Sequence, residues 1–113
     1  MKIDKSLLSG SMAMLLLRLL AEGDLYGYQM IEELERRSDH TFTLKAGTLY
    51  PILHSLEGQG AITSYEKTVS GRGRKYYHLT QEGRALLERK AREWNALSQG
   101  VAKVMGGEGY AFA

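Results

Sequence analysis

Residues 68–80 read TVSGRGRKYYHLT, a polar run with two glycines and three cations that leads straight into an alternation of aromatic and polar residues. Period-two alternation marks a strand, and the glycines mark a reversal. The stretch just before it, AITSYEK at 61–67, is β-like as well. The two runs are therefore expected to form a hairpin with a long basic tip, TVSGRGR, and to offer Ile62 on one strand and Tyr77 and Leu79 on the other to a core.

What flanks the hairpin is helical in pattern. A first helix is expected over residues 6–21, where Leu8, Met12, Leu15, Leu16, Leu19 and Leu20 recur at helical spacing and Gly23 is placed to cap the end. A second, over 28–38, turns Met30, Ile31 and Leu34 inward and Glu32, Glu33, Glu35 and Arg36 outward. The third is GTLYPILHSLEGQG at 47–60. Leu49, Ile52, Leu53 and Leu56 make its buried stripe, and Gly58 and Gly60 stop it. Thr48 is a candidate cap, which would put Pro51 in the first turn, where its missing N–H costs little. Tyr50 and His54 lie on the opposite face.

After the hairpin, residues 80–105 read as one long helix with Thr80 as N-cap and Glu82 and Gly83 just inside. Leu87, Trp94, Leu97, Val101 and Val104 fall on a coiled-coil-like seam of about two heptads, interrupted by Lys90 at an inner position. The core is already supplied by three helices and a hairpin, so this seam needs another surface, and a second copy of the chain is the simplest. Residues 106–113 are expected to be a disordered tail.

Composition narrows the function classes. The chain of 113 residues fits one domain, and a domain of this size gains from a homodimeric partner. It has no cysteine, which excludes a disulfide framework and thiolate metal ligands and favours a reducing, cytoplasmic setting. The N-terminus has no signal-peptide pattern, and the apolar run MAMLLLRLLA is short and carries Arg18, so no membrane span is expected. Net charge is only +2, but it is unevenly spread: acidic residues dominate 22–39 and basic residues dominate 40–79. The middle of the chain is the part suited to a polyanion. His40, His54 and His78 match no metal-ligand spacing, so no metal and no cofactor are expected. Neither phosphate-loop motif is present and no nucleophile with a nearby base stands out, so an enzyme is not expected.

Helix, helix, helix, hairpin, helix is the order of a winged helix-turn-helix: a mainly α fold with a small β-hairpin, followed by a long C-terminal helix. The expected division is a DNA-binding unit over 1–79 and a dimerisation helix over 80–105. In such folds the third helix enters the major groove and the hairpin tip lies along the backbone. The stretches LYGYQMIEELE, GTLYPILHSLEGQGAI and GRGRKYYHLTQEGRALL together resemble the PadR family of bacterial transcriptional regulators over nearly the whole chain. The chain is similar to the short subgroup, in which a single C-terminal helix provides dimerisation.

That resemblance implies a dimeric repressor of double-stranded DNA, released from a pseudo-palindromic operator by a small aromatic or hydrophobic effector. Carried over to this sequence, Thr48 and Tyr50 match positions that meet DNA at the start of the reading helix, and Arg72, Arg74 and Lys75 match the wing. Lys45 and His54 complete the expected DNA-facing set. Trp94 matches an aromatic that stacks on flat ligands between subunits, and Met12 is the other residue expected at such a ligand. Plainer readings stand beside these. Tyr50 can pack on the second helix, the glycine-arginine tip can be a solvated turn, and Trp94 can serve the dimer core alone. A winged helix used only for protein contact is the alternative for the whole chain.

Overall fold

The computed structural model describes residues 10–107. In chain order its elements are α1 (Met12–Ala21), β1 (Leu25–Tyr26), α2 (Gly27–Arg37), α3 (Ala46–Gly58), β2 (Ile62–Val69), β3 (Arg72–Leu79) and α4 (Gln81–Met105). The start of the expected first helix, with Leu8, lies outside the described residues, as does the tail from 108 onward. Within them α1 begins at Met12, later than the leucine spacing suggested, and Ser11 is its N-cap.

One apolar core joins the three short helices to the sheet. Leu16, Leu17, Met30, Leu49, Leu53, Leu56 and Ile62 are the fully buried large side chains, and Leu44, Tyr77, Leu79 and Leu86 close around them. Truncating one such leucine to alanine costs about 2–5 kcal/mol. Leu86 belongs to α4, so the long helix begins as part of this core before it leaves it.

The sheet is three-stranded and antiparallel in the order β1-β3-β2, with the hairpin completed by a two-residue strand that the sequence did not disclose. Leu25 pairs with Tyr77 and Tyr26 with Tyr76. The hairpin itself is tighter than its composition suggested. Its strands run to Val69 and resume at Arg72, pairing these two residues directly. Only Ser70 and Gly71 form the turn, with φ of 53° and 75°, the two positive values that a type I′ turn requires. The expected flexible basic tip is therefore corrected to strand: Arg72, Arg74 and Lys75 are all ladder residues.

Helix α3 also departs from expectation at its start. Its N-cap is Lys45, not Thr48, whose backbone N–H already bonds the Lys45 carbonyl at 3.0 Å. Leu44, buried in the core, anchors the approach and lets the helix begin immediately after the extended Lys45. Pro51 consequently sits inside the helix beyond the first turn, and the Gly47 carbonyl lacks the N–H that would lie four residues on. At the other end Gly60, with φ of 78°, lets the chain turn sharply. Ala61 N–H bonds the Leu56 carbonyl at 2.9 Å and Gly60 N–H bonds that of Glu57 at 3.0 Å, the two bonds of a Schellman cap.

At the start of α4, Thr80 is the N-cap read from sequence, and its hydroxyl oxygen accepts the Gly83 N–H at 3.0 Å. The same hydroxyl donates to the Gly60 carbonyl at 2.6 Å, with that of Ala61 at 2.9 Å. Gly83 is buried against this junction, where an added Cβ would run into the Ala61 carbonyl oxygen and the Leu79 side chain. Because one of the obstructions is backbone, Gly83→Ala is expected to destabilise the fold by about 1–3 kcal/mol, the range for overpacking. Urea unfolding checks this, and unchanged stability would mean that the junction is looser than described.

An ion cluster ties α1 to α2. Arg37 donates to Glu22 at 2.6 Å and to Glu33 at 3.2 Å, and Arg36 donates to Glu33 at 2.8 Å. The Arg36 hydrogen bond, reinforced by Arg37, draws the Glu33 carboxyl down from 4.5 to about 2. The Glu22 carboxyl is also lowered, chiefly by its hydrogen bond from Arg37. A carboxylate whose folded pKa is depressed contributes stability above its unfolded pKa and loses it as pH falls. Stability is therefore expected to decline from about pH 4.5 towards pH 2, and Glu33→Gln to flatten that decline. All these side chains are solvent-accessible, so added salt should weaken the effect. Urea midpoints across this pH range, with and without salt, measure it.

Candidate nucleic-acid interface

The site is built from α3 and the hairpin that packs beside it. With Leu49, Leu53 and Leu56 buried, the 3.6-residue period leaves Thr48, Tyr50 and His54 on the exposed side, and Lys45 stands exposed at the N-cap. All four α3 residues expected from sequence are thus presented to solvent. Lys45 has no side-chain oxygen with which to cap the helix, so the first-turn N–H groups lack a side-chain cap.

Tyr50 is both exposed and packed on α2. It is 47% exposed, yet its hydroxyl end lies against Gly27, the first residue of α2, where an added Cβ would collide with it. It also neighbours Tyr77: burial, then Tyr50 and Glu57, push the Tyr77 hydroxyl above its ordinary value. Ser64 of β2 donates to Glu57 of α3 at 2.7 Å and pins the wing to the helix.

Strand alternation divides the wing cations in a way that their sequence proximity hides. Tyr77 and Leu79 face the core, which puts Lys75 on the same side, opposite Glu66 and 5.7 Å from the Tyr77 ring. Arg72 and Arg74 point to the other side, where Lys67 is the cross-strand partner of Arg74. Lys67 is absent from the expected set. Extending the strand alternation to Val69 would have found it.

That outer side also carries a tyrosine cluster. Tyr65 stacks on Tyr76 at 5.7 Å with 15° between planes, and Tyr26 meets Tyr76 edge-on at 5.4 Å and 81°. The Arg74 guanidinium lies 4.3 Å from the Tyr26 ring centre, and the Lys67 ammonium 5.7 Å from that of Tyr76. Asp24 closes the cluster, accepting from the Tyr65 hydroxyl at 2.7 Å and lying 2.9 Å from His78 Nδ1. Burial opposes the Asp24 charge, but these hydrogen bonds outweigh it and its carboxyl lies below the ordinary value. Tyr26, Tyr65 and Tyr76 were not singled out by sequence, because a tyrosine in a strand gives no sign of which neighbour its ring will meet.

The remaining expected residues lie on or under α4. Leu87 packs on the core, whereas Trp94, Leu97, Val101 and Val104 are exposed, at 46%, 59%, 44% and 87%. Met12, named with Trp94 for a ligand, is only 4% exposed and belongs to the core. Lys90 lies on a groove of about 320 Å³ together with Ala13, Pro51, Ile52 and Gln59. Among the described residues no group of histidine and carboxylate side chains is arranged to hold a metal ion, and no helix is long and apolar enough to cross a membrane.

Known proteins place this arrangement. The family model of the PadR-like transcriptional regulators matches residues 16–89, which include α2, α3 and the whole wing. The transcriptional regulator Rv3488 of Mycobacterium tuberculosis is 37% identical over 90 residues, covering 80% of this chain and 78% of that protein. A transcriptional regulator from Clostridium thermocellum superposes with a TM-score of 0.82 at 32% identity, over 87% of this chain and 96% of that one. A PadR family transcription regulator from Clostridium difficile does so with a TM-score of 0.76 at 34% identity, over 85% and 99%. The fold is a winged helix with a long C-terminal helix, and the chain belongs to the PadR-like family of transcriptional regulators.

Proposed function

We propose that this regulator binds operator DNA as a homodimer and represses transcription until a small aromatic or hydrophobic effector releases it. The observation that carries the reading is the pairing of an exposed α3 face, Lys45, Thr48, Tyr50 and His54, with a wing that presents Lys67, Arg72 and Arg74 on one side and Lys75 on the other. Side chains on α3 can read base edges in the major groove, while wing cations neutralise phosphates and add affinity without sequence preference. Two copies related by a twofold axis would read a pseudo-palindrome with half-sites about one helical turn apart.

Dimerisation is assigned to the far half of α4. Its apolar residues Trp94, Leu97, Val101 and Val104 are exposed at heptad spacing, a stripe that a soluble surface rarely leaves uncovered. Trp94 is the chain's one tryptophan, so its fluorescence reports this seam alone. In the effector reading a flat apolar ligand stacks on Trp94 and its counterpart, and quenching on titration is the direct check. Release then requires that the ligand bind the DNA-free arrangement of the subunits more tightly.

The first experiment is selection of bound fragments from sheared genomic DNA at two salt concentrations. Enrichment of a pseudo-palindromic site supports the reading, and absence of sequence preference leaves the protein-contact alternative. On the selected site, Arg72→Ala with Arg74→Ala is expected to reduce the salt slope by about one to two, since each phosphate contact contributes roughly 0.9. An unchanged slope would remove the wing from the interface. Leu97→Glu, which touches no core, is expected to leave a folded monomer in sedimentation and to shift Trp94 emission to the red. A variant that stays dimeric would move the dimer contact elsewhere.

A further inference from the structure

We propose that Tyr26 is a positioning residue for the wing: its ring holds the Arg74 guanidinium where it can meet DNA phosphate, an inference that rests on the DNA-binding reading above. The guanidinium stands 4.3 Å from the Tyr26 ring centre, well within cation–π range. Among the described residues no hydrogen bond or ion pair engages the Arg74 side chain, so the ring is its anchor. A contact with a ring face consumes none of the guanidinium N–H donors and so leaves them for an incoming phosphate. A carboxylate partner would instead have consumed those donors and cancelled the charge.

Tyr26 is itself well held, which is what positioning demands. Leu25 pairs with Tyr77 at the sheet edge, and Gln29 Oε1 accepts the Tyr26 backbone N–H at 3.0 Å, fixing the chain at the start of α2. The ring meets Tyr76 edge-on, Tyr76 stacks on Tyr65, and the Tyr65 hydroxyl is bonded to Asp24. A long arginine side chain on an exposed strand otherwise loses rotamer freedom when it binds, so restraining it beforehand strengthens binding without adding a contact to DNA. Because the anchors are the Tyr26 backbone N–H bonded to Gln29 Oε1 and the pairing of Leu25, the side chain of Tyr26 can be changed without removing either.

The test measures equilibrium binding of the selected operator fragment by the full chain at two salt concentrations. Tyr26→Phe keeps the aromatic face and is expected to match the parent. Tyr26→Leu removes it and is expected to weaken binding about two- to fivefold, the range for an exposed cation–π contact, with the salt slope unchanged because every charge remains. In an Arg74→Ala background the same leucine substitution is expected to change nothing, whereas a role in folding alone would weaken both backgrounds equally. Should Tyr26→Leu prove unfolded by thermal melting, Arg74→Lys decides the matter. It keeps the charge but puts a smaller, more strongly hydrated ammonium in place of the guanidinium that lies over the ring, so it should weaken binding similarly at the same slope. Parent-like binding by Tyr26→Leu, or by Arg74→Lys in its place, or equal losses in both backgrounds, overturns this proposal and leaves the regulator reading standing. A parent chain that binds no DNA overturns both.

Discussion

The Ala61 carbonyl lies where three elements meet, and the geometry of the molecule depends on how closely they approach it. It accepts the Thr80 N–H at 3.1 Å, lies 2.9 Å from the Thr80 hydroxyl, and packs against the bare Cα of Gly83. One residue thereby joins the end of α3, the root of the wing and the start of α4. No side chain fits between Ala61 and Gly83, so backbone meets backbone where α3, the wing and α4 join, with the Thr80 hydroxyl tying the three.

A second set of polar contacts works at the outer edge of the same unit. Asp24, in the connection between α1 and β1, gathers Tyr65 from β2 and His78 from β3, while Glu22 two residues earlier engages Arg37 at the end of α2. The short α1–β1 connection therefore grips both the wing and the helix before the reading helix. Asp24, Glu22 and Glu33 are all solvent-accessible, so each of these polar contacts contributes modestly.

Much of this was legible from the order of residues. Leucine spacing placed α2, α3 and α4 to within a residue or two, and Thr80 announced the start of the long helix through the hydroxyl that its first turn needs. The exposed set on α3 followed from the period alone once Leu49, Leu53 and Leu56 were recognised as its inner stripe. The two residues of β1 were not legible, because a strand that short has no period to detect. Pro51 misled for a related reason. Proline favours a first turn, but the burial of Leu44 started the helix early and left Pro51 inside it.

By itself, then, the sequence determined which segments are helical, which face of each is apolar, and that a basic hairpin follows the third helix. Those properties are local, because they depend on spacing along one chain segment. Tertiary structure decided the rest. Pairing register set Lys67 opposite Arg74 and Glu66 opposite Lys75. It also brought Tyr26, from the far edge of the sheet, beneath Arg74. Such contacts depend on how separate strands align, and a one-residue slip in register would move each strand's side chains to the opposite face.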